Sequence, residues 1–323
     1  MNSSGRRRRA VVAINAAATI VFALIVVGVG LQSERFATAA NAVQIVAQAS
    51  PIVVVAIGMT FVLLTGGVDL SVGALMFIGA GLAGQLAVGG SSLWVAAAVM
   101  AAVGTAGGLL NALLVTRIGL LPFVATLATL YVGRGLGRWV TETRAINLPE
   151  SFLAFGASAW LGVPAVAWFA AAVALSAQLT LRNTPFGRQL YAVGANAEAA
   201  RKAGVNTGLV VAAAYVISGL CAGLGGVLAL SQLGAVSPRF GELYEFEAIT
   251  AAVLGGTSLY GGRGQVLPGT VIGALLLAAI FSALVSVQAD PYLYPLVTAS
   301  VIFLAVLLDT VRTRLAVLDA RTP

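Results

Sequence analysis

Residues 182–207 read RNTPFGRQLYAVGANAEAARKAGVNT, the one long polar interruption between two apolar runs, 163–181 and 209–230. Arg182, Arg188, Arg201 and the chain's single lysine, Lys202, require this segment to sit in water. The flanking runs are each close to the roughly 20 apolar residues that cross a bilayer. A charged segment between two such runs points to a polytopic, all-α membrane protein. The second half of the segment specifies a short helix at both ends. Asn196 is a good N-cap, and Glu198 falls in the first turn, where the helix dipole favours an anion. Arg201 and Lys202 fall in the last turn, and Gly204 suits the left-handed position beyond it. The predicted helix, 197–203, is roughly 10 Å long, too short to be stable alone in water. Its own membrane domain or a docked partner must hold it.

The composition of the 323 residues agrees: 59% are hydrophobic and only 9% charged. A soluble domain carries nearer to a quarter charged residues. Thirty-eight glycines fit close helix packing in a membrane. The single cysteine, Cys221, excludes a disulfide framework, and the absence of histidine removes the commonest general base and metal ligand. The net charge of +7 reflects membrane orientation rather than nucleic-acid binding.

Ten spans are expected. Arg6–Arg9 precede an apolar run, 10–31, whose length suits an uncleaved first span better than a signal peptide. The others are 44–65, 71–88, 93–115, 120–137, 163–181, 209–230, 248–259, 266–285 and 294–308. With the N-terminus inside, thirteen of the eighteen basic residues lie on the inner face, leaving Arg35, Arg134, Arg138, Arg144 and Arg239 outside. The positive-inside rule therefore puts both termini and the 182–207 loop in the cytoplasm. The expected layout is a basic tail 1–9, a membrane domain 10–311 and a cytoplasmic tail 312–323. The outer connections 142–162 and 232–247 are interfacial loops or a docking surface; Arg239, Glu242 and Glu245 are the candidate docking residues of the second. Arg134 and Arg138, four apart on one helix face, either snorkel to headgroups or line a polar vestibule.

Two stretches look alike: TGGVDLSVG at 65–73 and LGGTSLYGG at 254–262. Each breaks an apolar run with paired glycines and hydroxyls, as broken helices near a solute path do, or as helix-packing glycines do. Asp69 beside Ser71 either caps the helix that starts there or takes part in gating. No P-loop is present, since Lys202 follows Arg201 rather than a glycine. With no histidine there is no Ser–His nucleophile and no Cys/His zinc site, so no enzyme is expected.

The segment GMTFVLLTGGVDLSVG at 58–73 resembles the signature of the ribose-type permeases of bacterial ATP-binding-cassette importers. LPFVATLATL at 121–130 with Arg134-Gly135 is similar to that family's next block. TPFGR at 184–188, AVGAN at 192–196, EAA at 198–200 and GVN at 204–206 resemble its cytoplasmic loop. Glu247-Ala248-Ile249, VLGGTSL at 253–259 and Gly261-Gly262 complete four blocks in the family's order. The segment 141–155 is similar to that of galactofuranose-type permeases.

This resemblance implies a permease of the inner membrane that pairs with a second permease, two cytoplasmic ATPases and a periplasmic sugar-binding protein. ATP and magnesium belong to the ATPases, and this chain binds no cofactor. The loop becomes a coupling helix, with Pro185, Gly187, Asn196, Glu198, Ala199, Ala200, Arg201, Lys202, Gly204 and Asn206 as its candidate residues. The small face formed by Ala199, Ala200 and Ala203 would enter an ATPase groove. Thr60, Thr65, Asp69, Ser71, Asn111, Thr126, Thr129 and Ser218 are candidates for the sugar path or its gating. An ion-coupled carrier is the alternative, and a non-transporting membrane scaffold is a third class.

Overall fold

A computed structural model describes residues 36–320, together with the isolated positions Leu24, Gly28 and Ser33. The Arg6–Arg9 cluster, the expected first span, Arg35 and the last three residues lie outside the described residues. The rest is a helical bundle. Its principal helices are α1 (Ala39–Leu64), α2 (Val72–Val88), α3 (Leu93–Thr116), α4 (Pro122–Val140), α5 (Glu150–Ala157) and α6 (Ala165–Asn183). Then follow α7 (Pro185–Ala195), α8 (Ala197–Lys202), α9 (Thr207–Leu233), α10 (Tyr244–Leu254), α11 (Val271–Ser286) and α12 (Tyr294–Ala320). Among the described residues five segments are long and apolar enough to cross a membrane: α1, α3, α6, α9, and α11 extended back to Val266.

Helix α1 is buried along most of its length and forms the centre of the bundle. It starts five residues before the expected span because the Thr38 hydroxyl accepts the Asn41 N–H at 3.1 Å. Pro51 lies inside it, where proline leaves the carbonyl four residues earlier without its helical donor. That carbonyl, on Ala47, accepts a 2.9 Å bond from the Gln232 side chain of α9. Lipid supplies no donor, so a neighbouring helix must. An irregular turn over Val266–Thr270 is satisfied similarly: the Leu267 N–H donates to Gln178 Oε1 of α6 at 3.0 Å.

Helices α3 and α9 meet backbone to backbone. Gly104 and Gly108 on one face Gly219 and Gly223 on the other, each pair four residues apart. A Cβ added at Gly219 would meet the Gly104 carbonyl and the Gly108 amide, and one at Gly104 would meet Gly219 in return. Small residues at this spacing allow dispersion contacts that larger side chains would prevent. Replacing Gly219 with leucine is therefore expected to lower the folded, monodisperse fraction in detergent, at a cost of about 3 kcal/mol from overpacking. Gly135, whose Cβ would meet nothing, is the control: its leucine variant should chromatograph like the parent. Equal behaviour of the two variants would refute this packing account.

The expected span 248–259 is not a crossing. Helix α10 covers Tyr244–Leu254, about 16 Å by its 11 residues, roughly half a bilayer core. It stops where Gly255 packs against the Gly269 backbone, too close for a side chain, and Gly256 turns left-handed. The two outer connections are joined. Ile146 pairs with Val236 and Asn147 with Ala235 in a short antiparallel ladder. Helix α5 inside the first connection buries only Phe152, which fits an interfacial segment. Helix α12 continues without a break past 312, where the tail was expected to begin.

Candidate functional site

The polar loop forms two helices in an elbow. Thr184 caps α7, its hydroxyl accepting the Gly187 N–H at 3.2 Å, with Pro185 in the first turn. Gly187 is buried, and a Cβ there would meet the Leu181 backbone, so its glycine sets the corner between α6 and α7. Pro185 is exposed beside it. Asn196 caps α8 through a 2.9 Å bond from the Ala199 N–H, and Asn206 caps α9 through a 3.1 Å bond from the Leu209 N–H. Gly204 turns left-handed at φ 86°, and Lys202 pairs with Glu198 at 2.9 Å one turn away.

The short helix is held by its own chain. Ala200 is buried against the bundle, while Ala197, Glu198, Ala199, Arg201, Lys202 and Ala203 are exposed. The expected small face is thereby corrected: Ala200 faces inward, and the projecting surface is Asn196, Glu198, Ala199, Arg201, Lys202, Ala203 and Gly204. Sequence periodicity over six residues cannot tell an inward alanine from an outward one, because both neighbours are small.

The eight candidate path residues are mostly one buried network. Asp69 Oδ1 accepts from the Ser71 amide at 3.0 Å, the Ser71 hydroxyl at 2.6 Å and the Asn111 amide at 3.4 Å. Its Oδ2 accepts from the Ser218 hydroxyl at 2.8 Å. Asn111 also donates to Ser71 at 2.8 Å and accepts from Thr129 at 2.6 Å. Thr126 and Tyr215 both donate to the Val68 carbonyl, at 3.3 Å each. The loop between α1 and α2 is thus tied to α3, α4 and α9, and every hydrogen on the Asn111 amide is used. Asp69, Ser71, Asn111, Thr126 and Ser218 are fully buried; Thr129 alone reaches the edge of an apolar groove between α2, α3 and α4. In this conformation none of those five can touch a solute.

Thr60 and Thr65 stand apart. Thr60 bonds to Thr270 at 2.8 Å across α1 and the irregular turn, and Thr65 donates to the Val62 carbonyl of its own helix.

The other polar candidates also move from their expected places. Arg134 neither snorkels nor lines a vestibule: it donates to the Phe240 carbonyl at 2.7 Å and the Gly241 carbonyl at 2.5 Å, with Phe77 beneath the guanidinium. Residues 237–243 therefore fold back into the bundle, and Gly241 lies against the Gly73 backbone in the first turn of α2. Arg138 is exposed. Arg239 and Glu242 are exposed and paired at 3.1 Å, suited to an outer contact. Glu245 is not: it is 5% exposed, beside Gly73, with one carboxylate oxygen lacking a hydrogen-bond partner. A glutamate in the first turn of α10 looks external in sequence because nothing local reveals that the loop before it is re-entrant.

The two glycine-rich stretches meet. The Gly262 N–H donates to the Leu64 carbonyl at 3.0 Å, and a Cβ on Gly66 would contact the Tyr260 carbonyl. Asp309 of α12 holds the second stretch, accepting the Leu259 N–H at 3.0 Å and the Ser258 hydroxyl at 3.3 Å. These glycines serve backbone contact. Asp309 and Tyr191, whose hydroxyl donates to the Gly264 carbonyl at 2.8 Å, were not among the sequence candidates. Among the described residues no cluster of side chains has the makings of a metal site.

Residues 41–308 match the family described as branched-chain amino acid transport system / permease component. The chain is 37% identical over 289 residues to the ribose import permease protein RbsC of Bacillus subtilis, covering 88% of this chain and 89% of that one. It is 34% identical over 292 residues to the D-allose transport system permease protein AlsC of Escherichia coli, at 90% and 89% coverage. Against the galactofuranose transporter permease protein YtfT of the same species it is 35% identical over 272 residues, at 84% and 80% coverage. No solved structure matches the chain.

Proposed function

The chain belongs to the permease-component family of branched-chain amino acid transport systems, and from that premise we propose that it is the membrane subunit of an ATP-driven monosaccharide importer. Ribose, allose and galactofuranose are the sugars named for its relatives, and they define the substrate class. The observation that carries the reading is α8. It is a two-turn helix capped at both ends, anchored through Ala200, and exposed over the rest of its surface beside a bundle that has no P-loop of its own. Such a helix supports a coupling role, in which two cytoplasmic ATPases engage Asn196, Glu198, Ala199, Arg201, Lys202 and Gly204 and displace them. Pro185, Gly187 and Asn206 then set the angles at which the loop leaves α6 and enters α9.

The remaining assembly follows from the same reading. A second permease copy or paralogue pairs with this one, and a periplasmic sugar-binding protein docks where Arg239 and Glu242 are exposed. In this reading the chain lies in the inner membrane with both termini cytoplasmic, and ATP with magnesium stays on the ATPases. Alternating access follows when ATP-driven closure of the ATPases favours one arrangement of the membrane helices over the other.

One observation favours the rival, an ion-coupled carrier: Glu245 is a buried carboxylate with a free oxygen, and buried ionisable residues in spans often carry protons or ions. The two readings separate in energised cells. Uptake of the labelled sugar should persist when an ionophore collapses the proton and sodium gradients and ATP is kept. It should stop when ATP is depleted with the gradients intact. The opposite pattern would establish the carrier.

A further inference from the structure

Helix α7 joins the exposed α8 to the membrane bundle, and its attachments are unusual in kind. Phe186 stacks on Phe61 of α1, with ring centroids 6.3 Å apart and planes within 16°. Tyr191 donates to the Gly264 carbonyl at 2.8 Å. Gly194, at the end of α7, lies directly on the Leu64 carbonyl and the Gly262 amide, too close for a Cβ. Gly261 and Gly262, both left-handed, return the contact onto Gly194 and Ala195. The last residues of α7 therefore sit where the two glycine-rich breaks touch each other.

Ordinary packing of an amphipathic helix would account for Leu190 and Val193, which are buried. It does not account for a three-way backbone contact. Side chains change rotamer and absorb small displacements, whereas backbone atoms in van der Waals contact do not. A movement of α7 must therefore reach both breaks or separate from them. Each break adjoins a helix that reaches the same interior contact. After the first break comes α2, and Gly73 in its first turn lies against Gly241. Before the second comes α10, which starts beside that same contact, with Glu245 close to Gly73. Displacement of the junction reaches both short helices at their shared interior contact. Through the Asp69 and Ser71 bonds to Asn111 and Ser218 it also loads α3 and α9, which move as one unit because their glycine faces are locked.

We propose that α7 is a lever, with Tyr191 and Gly194 as positioning residues that carry motion of α8 to both glycine-rich breaks. This rests on the coupling role assigned to α8. Neither residue touches sugar or nucleotide. Their contribution is to keep ATP hydrolysis and sugar movement in step.

The test uses the whole importer, permease with its ATPase and sugar-binding protein, reconstituted in vesicles. The probe is a pool of labelled ribose, allose and galactofuranose, and the readout is ATP hydrolysed per sugar imported. Tyr191→Phe removes one hydrogen bond and keeps the ring. It should raise that ratio about fivefold, the effect of one net hydrogen bond, with the ATPase still bound and Tm lowered by no more than about 2–4 °C. A parental ratio in Tyr191→Phe overturns the lever, as does a parallel fall of hydrolysis and import together with a Tm lowered beyond that, which marks a merely structural role. Glu198→Lys is run alongside. If that variant imports at the parental rate, or if the parent complex imports none of the three sugars with ATP, the coupling reading itself has failed. The lever fails separately when Glu198→Lys is inactive and Tyr191→Phe is indistinguishable from the parent.

Discussion

Asp69→Ala is expected to destabilise the detergent-solubilised protein by about 3 kcal/mol, measured as a lowered midpoint of thermal unfolding. The side chain accepts four hydrogen bonds, from the Ser71 amide and hydroxyl, the Asn111 amide and the Ser218 hydroxyl. Alanine leaves those donors facing one another with no acceptor and no water. Each buried orphan costs about 1–3 kcal/mol. The sum is smaller than four such penalties, because Asn111 also donates to the Ser71 oxygen and keeps one partner. Asp69→Asn should cost about 1 kcal/mol: its carbonyl oxygen still serves Ser71, and its amide can donate to a reoriented Ser218 hydroxyl. The order parent, Asn, Ala in unfolding midpoint is the expected result. A midpoint for the alanine variant equal to the parent's would show that the network does not hold α2, α3, α4 and α9 together.

Glu198→Lys is expected to abolish ATP-driven uptake while leaving the protein folded. Its ion pair with Lys202 is exposed on both sides, so losing it costs no more than a few tenths of a kcal/mol. Expression, membrane insertion and Tm should match the parent. The same position projects into the surface assigned to the ATPase, and reversal places two like charges one turn apart there. Charge at a docking helix of this size is worth about 2 kcal/mol or more, so uptake should fall at least about 30-fold. Co-purification of the ATPase with the variant should fall in step. Parental uptake would remove α8 from the coupling role. Gly187 is unsuited to this experiment, because a side chain there would strike the Leu181 backbone and disturb the corner itself.

Much of α8 was legible in the sequence. Asn196, Glu198, Lys202 and Gly204 stand in the structure at the cap, first turn, last turn and left-handed position that their chemistry predicts. Helix positions within the described residues were legible too, since apolar runs near the length of a bilayer have few alternatives. The failures share one cause. Pro51 announces a carbonyl without a donor, but only the folded chain brings Gln232 to it from 185 residues away. In the irregular turn beside Pro268 the unmet group is a donor, the Leu267 amide, and its acceptor, Gln178 Oε1, comes from 89 residues away. For the second pair the signal was a glutamine, Gln178, inside one apolar run and a proline inside another; Gln232 lies just beyond its run and gave no such signal.

The sequence by itself determined that this chain lives in a membrane, that a water-exposed loop interrupts it, and that the loop ends in a short capped helix. Those properties follow from composition and from groups within four residues of one another. Tertiary structure decided where each polar group finds its partner. Ala200 turned inward and Glu245 was drawn into the bundle. Asp69, expected either to cap the helix starting at Ser71 or to gate, became the centre of a satisfied network. The physical reason is that a bilayer offers no hydrogen bonds, so buried backbone and side-chain groups are satisfied only by residues distant in the chain. The 182–207 loop lies outside that constraint at its exposed tip and inside it at Gly194. Its chemistry was therefore readable from local sequence, while its attachment to the two glycine-rich breaks was not.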